Sequence, residues 1–284
     1  MNASKEAASI HDSLAISNDP ETTETDHNVS PDLTPSVHPD VNLDLVDPNS
    51  GTATSNNAPV ENPLIQEAYN FHEYKNLTTF LQRHVTGSGT VNYNGIKGDL
   101  SAFNAIIKEF ESNVPNRDWS SDERLVFWIN AYNIYTLKLV TDNYPISSIT
   151  KIAAKPWDKK FIQLGGSTYS LNNIEHTIIR KKFNEPRIHF ALNCASISCP
   201  ILMNEAFTPK NIDSQLTQQT KKFLNDTSKN KLWSDSIQIS ELFDWYEEDF
   251  TKNGTLIDFI NKYRDTKLSN PTISYIAYSW DLND

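Results

Sequence analysis

The sequence predicts an α+β domain, a small, mostly antiparallel sheet packed with helices, behind a leader without fixed structure. Three observations predict it. Apolar residues recur at helical spacing in several long segments, and short runs of period two lie between them. The composition also changes sharply near Pro63. Residues 1–60 hold ten acidic side chains and one basic, net −9, whereas residues 61–284 hold 26 and 24, net −2. The leader is rich in Ser, Thr, Asn, Asp and Pro, and lacks the apolar surface needed to offset the entropy of ordering it. It therefore reads as a disordered acidic tether (1–60) ahead of a single domain (61–284).

The domain carries no basic stripe, which argues against nucleic acid as a partner, and no run of 18 apolar residues, which argues against a membrane span. The first residues, MNASKEAASI, lack the apolar core of a signal peptide. A polar tether is also what is left once an export or lipoprotein signal has been removed. Location thus stays open between exported or lipid-tethered and cytoplasmic. The two cysteines are compatible with one bridge or with free thiols.

The elements follow in order. Leu64 to Val85 reads as a first helix on Leu77, Phe80 and Leu81, and Thr90 to Ile96 reads as a short strand between glycines. Asp99 to Glu111 is a second helix, with Leu100, Phe103, Ile106, Ile107 and Phe110 at steps of three and four. Ser120 and Glu123 form a capping box for a third helix that runs to about Asn143, where Pro145 stops it. Only a narrow arc around Arg124 and Lys138 is charged, so this is the core helix, and Asn130 and Asn133 fall on its buried surface. A buried amide needs partners; a structural hydrogen-bond network is the first reading and orientation of a site residue the second.

FIQLGGSTYS (Phe161–Ser170) carries a hairpin signal around Gly165-Gly166. Ser170 caps a helix from Leu171 to about Phe183, with Glu175 in the middle of its apolar arc and His176 at the edge. Lys210 to Asn225 is an amphipathic helix, Ser236 to Ser240 a strand, and Phe243 to Phe250 a helix whose aromatics read as core packing and whose Asp249 is the acid to watch. Leu256 to Tyr263 is the last helix, and Thr272 to Trp280 a closing strand.

The stretch RIHFALNCASISCPIL, Arg187 to Leu202, holds both cysteines. Alternation of Ile188, Phe190, Leu192 and Cys194 predicts a strand with His189 on its other face. Pro200 predicts the first turn of a helix reaching Phe207, with Cys199 as N-cap, a placement that favours thiolate. From these residues the expectation is a thiol-dependent hydrolase or acyl transferase acting on an amide, ester or thioester. Cys199, or else Cys194, is the nucleophile, His176 is the general base, and Glu175 or Asn130 orients the imidazole. Cys194, on the core-facing phase, is the weaker nucleophile. Three alternatives stay open. They are a disulfide or redox pair of Cys194 and Cys199, a zinc site of Cys194, Cys199, His176 and His189, and a non-enzymatic binding module. Zinc is disfavoured by the opposite phases of Cys194 and His189, and no cofactor is expected.

Five motifs taken together, FWINAYN (Phe127–Asn133), YSLNNIEH (Tyr169–His176), RIHFALNCASISCP (Arg187–Pro200), FDWYEEDF (Phe243–Phe250) and YSWDLN (Tyr278–Asn283), resemble the bacterial branch of family 547 of the domains of unknown function. The resemblance extends over residues 64–284 and implies a shared fold without implying an activity. Plant-type members of that family often lack the second cysteine, so the resemblance does not make the position of Cys199 universal.

Overall fold

The computed structural model of the chain describes residues 70–233 and 235–284. The expectation for residues 1–60 lies outside the described residues. A 3-10 turn at Phe71–Glu73 leads into α1 (Lys75–His84). Residues 64–69 of the predicted first helix lie outside the described residues, and within these the helix begins only at Lys75 because Tyr74, between the two pieces, has the left-handed φ of 50°. The strand predicted at Thr90–Ile96 is instead α2 (Tyr93–Gly98), since the Asn92 side chain accepts from the Gly95 N–H and starts a helical turn. Only Val91 pairs in extended fashion there, with Val85.

α3 (Leu100–Ser112) and α4 (Ser121–Asn143) form as their patterns predict. In α4 the Ser120 side chain accepts from the Glu123 N–H while Glu123 Oε2 accepts from the Ser120 N–H at 2.6 Å, a complete capping box. The helix ends at Tyr144, extended as the residue before a proline must be. Nearly every side chain from Leu125 to Thr141 is buried, so α4 is the central rod of the main core.

β1 (Ile162–Leu164) and β2 (Ser167–Tyr169) make the expected antiparallel hairpin, with Leu164 opposite Ser167. The following helix is not α throughout. Asn173–Ile179 is wound as a π-helix, continued by one α turn at Arg180–Lys182, and the Arg180 N–H bonds back to the Glu175 carbonyl. Then come α5 (Ile212–Asn225), β3 (Lys231–Leu232), β4 (Ser236–Ser240), α6 (Leu242–Trp245), α7 (Glu247–Thr251), α8 (Leu256–Lys262) and β5 (Thr272–Ile276). The second sheet has the order β3-β4-β5, with β3 antiparallel to β4 and β5 parallel to it, Ile237 opposite Ile273. These elements fit an α+β domain, with two small sheets in place of the expected one and two of the three strand pairs antiparallel.

Two predictions in the cysteine stretch are corrected. Arg187–Cys194 is no strand. Pro186–Phe190 is a 3-10 helix with Pro at its first turn, and Ile188, His189, Phe190, Ala191 and Leu192 are all buried. The segment runs between two cores, with Ile188 in the main cluster around α4 and Phe190 in a second cluster with Phe223, Phe243, Phe250 and Phe259. Burial on every side removes the one-sided environment that a period of two requires.

Pro200–Phe207 is no helix either. Its backbone groups are taken by side chains from other elements. Asn193 Nδ2 donates to the Pro200 carbonyl at 2.8 Å and Gln219 Nε2 to that of Ile201 at 3.0 Å. Gln215 Nε2 donates to the Ala206 carbonyl at 2.9 Å, and the Ala206 N–H donates to Thr78 Oγ1 at 3.1 Å. Backbone groups spent this way are not free for helical bonds.

Candidate functional site

The site is built on the turn Ala191–Pro200, and Asn133 of α4 sets its entry. Asn133 Nδ2 donates to the Ala191 carbonyl at 2.9 Å, and its Oδ1 accepts from the Asn193 N–H at 2.9 Å. Asn193 in turn accepts from the Ala195 N–H at 3.0 Å, an Asx turn. Ala195 then takes a φ of +62° while fully buried, a conformation an alanine adopts only where its surroundings enforce it. The C-terminal segment supplies that enforcement. The Ile197 N–H donates to the Asp281 carbonyl at 2.9 Å, Ser196 bridges to Leu282, and the Ser279 N–H donates to Ser198 Oγ at 2.9 Å.

This turn brings the two sulfurs to 2.8 Å from each other, with both cysteines free. Cys194 is half-buried, and its sulfur also lies 3.0 Å from the Tyr278 hydroxyl and 3.4 Å from Ser196 Oγ, which themselves are 2.9 Å apart. Burial raises the Cys194 pKa, but hydrogen bonds from Cys199, Ser196 and Tyr278 outweigh it and hold the thiol below its ordinary value. Cys199 is buried, and its sulfur accepts from the Cys194 N–H at 2.9 Å. Burial and the adjacent Cys194 push its pKa well up despite that N–H. The helix that was to acidify Cys199 does not form, and the polarity of the pair is the reverse of the sequence expectation.

Beside the thiols lies a buried polar network. Tyr246 donates to Glu175 Oε1 at 2.6 Å, and its ring stacks on His189 with centroids 3.9 Å apart. His189 Nε2 lies 2.8 Å from Asp249 Oδ2, which also accepts from Arg180 Nε at 2.6 Å; Lys252 sits 3.0 Å from the other oxygen. Burial raises the Asp249 pKa, yet His189 and Arg180 outweigh it and hold the carboxyl far below the usual range. Burial lowers the His189 pKa despite Asp249. Arg180 NH1 is 2.8 Å from His176 Nδ1, and a guanidinium only donates, so Nδ1 is the acceptor. Burial and the Glu175 charge raise the Tyr246 pKa well above its ordinary value.

Of the expected site residues, the structure brings Cys194 and Cys199 into contact and places Glu175 and His176 in this network. Among the described residues neither sulfur has an imidazole as a hydrogen-bond partner. Asn130 does not orient an imidazole. Its Nδ2 donates to the Phe207 carbonyl at 2.9 Å and its Oδ1 accepts from the Phe207 N–H at 3.1 Å, the structural role. His189 pairs with Asp249, although the strand face on which the sequence placed it does not exist. Among the described residues no three His, Cys, Asp or Glu side chains are grouped to hold a metal ion, and no helix is long and apolar enough to cross a membrane. Sequence reasoning missed Tyr278, Ser196 and Arg180 and read Tyr246 only as packing. The sequence signal for Tyr278 is its position in the YSWDLN motif.

Residues 116–224 match a family described as "Protein of unknown function, DUF547", a span that includes both cysteines, Glu175, His176, Arg180 and His189. Tyr246, Asp249 and Tyr278 lie beyond the matched span. No curated protein matches, and no solved structure does.

Proposed function

We propose that this chain, a member of the DUF547 family, is a thiol-dependent protein that exchanges disulfides, with Cys194 as nucleophile and Cys199 as resolving thiol. The observation that carries the reading is the 2.8 Å approach of a half-buried sulfur, with the Tyr278 hydroxyl 3.0 Å and Ser196 Oγ 3.4 Å away, to a buried one. Thiolate is the attacking species in disulfide exchange, and a second thiol within bonding reach completes it. The Cys194 thiolate attacks one sulfur of a substrate disulfide, the S–S bond breaks, and the departing thiolate takes a proton from solvent. Cys199 then loses its proton to the second leaving sulfur and attacks Cys194 Sγ. The substrate is reduced to two thiols, and the protein is oxidised to one Cys194–Cys199 bond.

The acyl-transfer expectation uses the same nucleophile with His176 as base and Glu175 as orienter. It draws less support, because the sulfur's neighbours are a thiol and hydroxyls and His176 Nδ1 is engaged by Arg180. Oxidised glutathione separates the two. A Cys199→Ser variant of the full chain accumulates a mixed disulfide at Cys194, seen by intact mass and peptide mapping, whereas the parent passes on to the intramolecular bond. A Cys199→Ser variant that resists oxidised glutathione but is acylated at Cys194 by an activated thioester would move the assignment to acyl transfer.

A further inference from the structure

We infer that a groove along α5, away from the thiols, binds an extended acidic segment of another polypeptide. The groove has a volume of ≈ 990 Å³, with α5 side chains on one side and Ser88 and Ile201 on the other. That is the upper end of the range for small ligands, about 300–1,000 Å³. The inference is independent of the thiol chemistry.

Two features of the groove point to its occupant. The first is Gln219, which lines the groove and is 2% exposed. Its Nε2 is spent on the Ile201 carbonyl, while its Oε1 is buried without a partner among the described residues. Buried amide oxygens are almost always satisfied, so this one calls for an N–H from outside, such as a peptide bond supplies. The second is charge. Asp226 is bound by Lys229 at 2.6 Å, and the exposed Asp213 shares Arg187 with Glu185, so the exposed Lys221 and Lys222 outweigh the remaining Asp213 and give the groove lining a small net positive charge. Residues 61–284 carry a net charge of −2, so this is a local reversal of sign. Ile201 and Phe223 add apolar walls. An extended peptide alternating acidic and apolar residues presents carboxylates to the lysines, side chains to the walls and backbone N–H groups to Gln219, the usual division between main-chain affinity and side-chain specificity.

The test titrates the full chain into a fluorescein-labelled decapeptide of alternating Glu and Val, read by fluorescence anisotropy, beside its Lys/Val counterpart. Saturable binding of the Glu/Val peptide is expected, weakened by salt and weakened about tenfold or more, 1.4 kcal/mol, by the double change Lys221→Glu, Lys222→Glu. Both lysines are exposed, so these variants keep the fold, which far-ultraviolet circular dichroism checks. Absence of saturable binding, equal binding of the Lys/Val peptide, or indifference to the double change would overturn the inference. So would a dimer in light scattering that the double change dissociates, since the occupant would then be a second copy.

Discussion

α4 and the segment Pro186–Phe207 are both buried and touch each other, yet they are determined in opposite ways. α4 is specified within its own residues by a capping box at Ser120, a helical apolar period and Pro145 beyond its end. Pro186–Phe207 is shaped from outside, by Asn130 and Asn133 of α4, Gln215 and Gln219 of α5, Asp249 and the C-terminal strand partner at Asp281–Asn283. The cysteine-bearing turn thus sits where the chain has least say over its own conformation. That is how an alanine comes to hold φ +62° between two thiols.

The sharpest way to break this comparison is to remove an outside holder. Asp249→Ala leaves Arg180 and His189 without their shared carboxylate in a site where these side chains are 15% and 2% exposed. Loss of one member of such a group destabilises by about 3–5 kcal/mol. Urea unfolding measures it, and a change under about 1 kcal/mol would mean that the segment holds itself. Next in size, Asn133→Leu orphans the Ala191 carbonyl and the Asn193 N–H together and is expected to cost about 2–4 kcal/mol, with Cys194 losing its selective reactivity as the turn relaxes. Parent-like melting with intact selectivity would show that the C-terminal segment alone clamps the turn.

Acid probes the same region. His189 has a lowered pKa when folded, so the unfolded chain takes up its proton first and stability falls as pH drops below about 6.5. Asp249, also lowered, contributes stability that is present above about pH 4 and lost as pH falls below that. Both signs agree, so the unfolding free energy should decline on acidification from neutrality, and His189→Gln should flatten the upper part of the decline. A flat profile between pH 7 and 5 in the parent would remove His189 from this account. The smallest effect belongs to the self-specified partner. Ser120→Ala loses one cap and should cost about 1 kcal/mol, leaving thiol reactivity untouched.

The same contrast explains what could be read from the sequence. α3, α4, α5, the hairpin and β4 follow from local periodicity, caps and Gly-Gly, because the forces that shape them act within a few residues. Burial of Glu175 and the structural use of Asn130 and Asn133 were legible from the helical wheel, since an amide or carboxylate among apolar neighbours must find partners. The partners themselves were not, being 58 to 77 residues away in the chain for the two asparagines. The π winding of Asn173–Ile179 was also hidden, because its apolar positions fit an α period equally well. In the cysteine-bearing turn, a proline after Cys199 suggested a helix start. No rule of local sequence announces that Asn193 and Gln219 will claim the backbone of Pro200 and Ile201 first.

The central claim is that Cys194, not Cys199, is the acidified thiol, and the pH profile of alkylation tests it directly. The reduced full chain is pulsed with iodoacetamide across the pH range, and the labelled cysteine is identified by peptide mapping. Cys194 should react well below the pH at which a free cysteine of pKa about 8.5 does, and Tyr278→Phe should move its profile upward by removing a hydrogen bond to the thiolate. Cys199 should stay unlabelled until the chain unfolds. Preferential low-pH labelling of Cys199, or ordinary profiles at both positions that ignore Tyr278→Phe, would contradict the account.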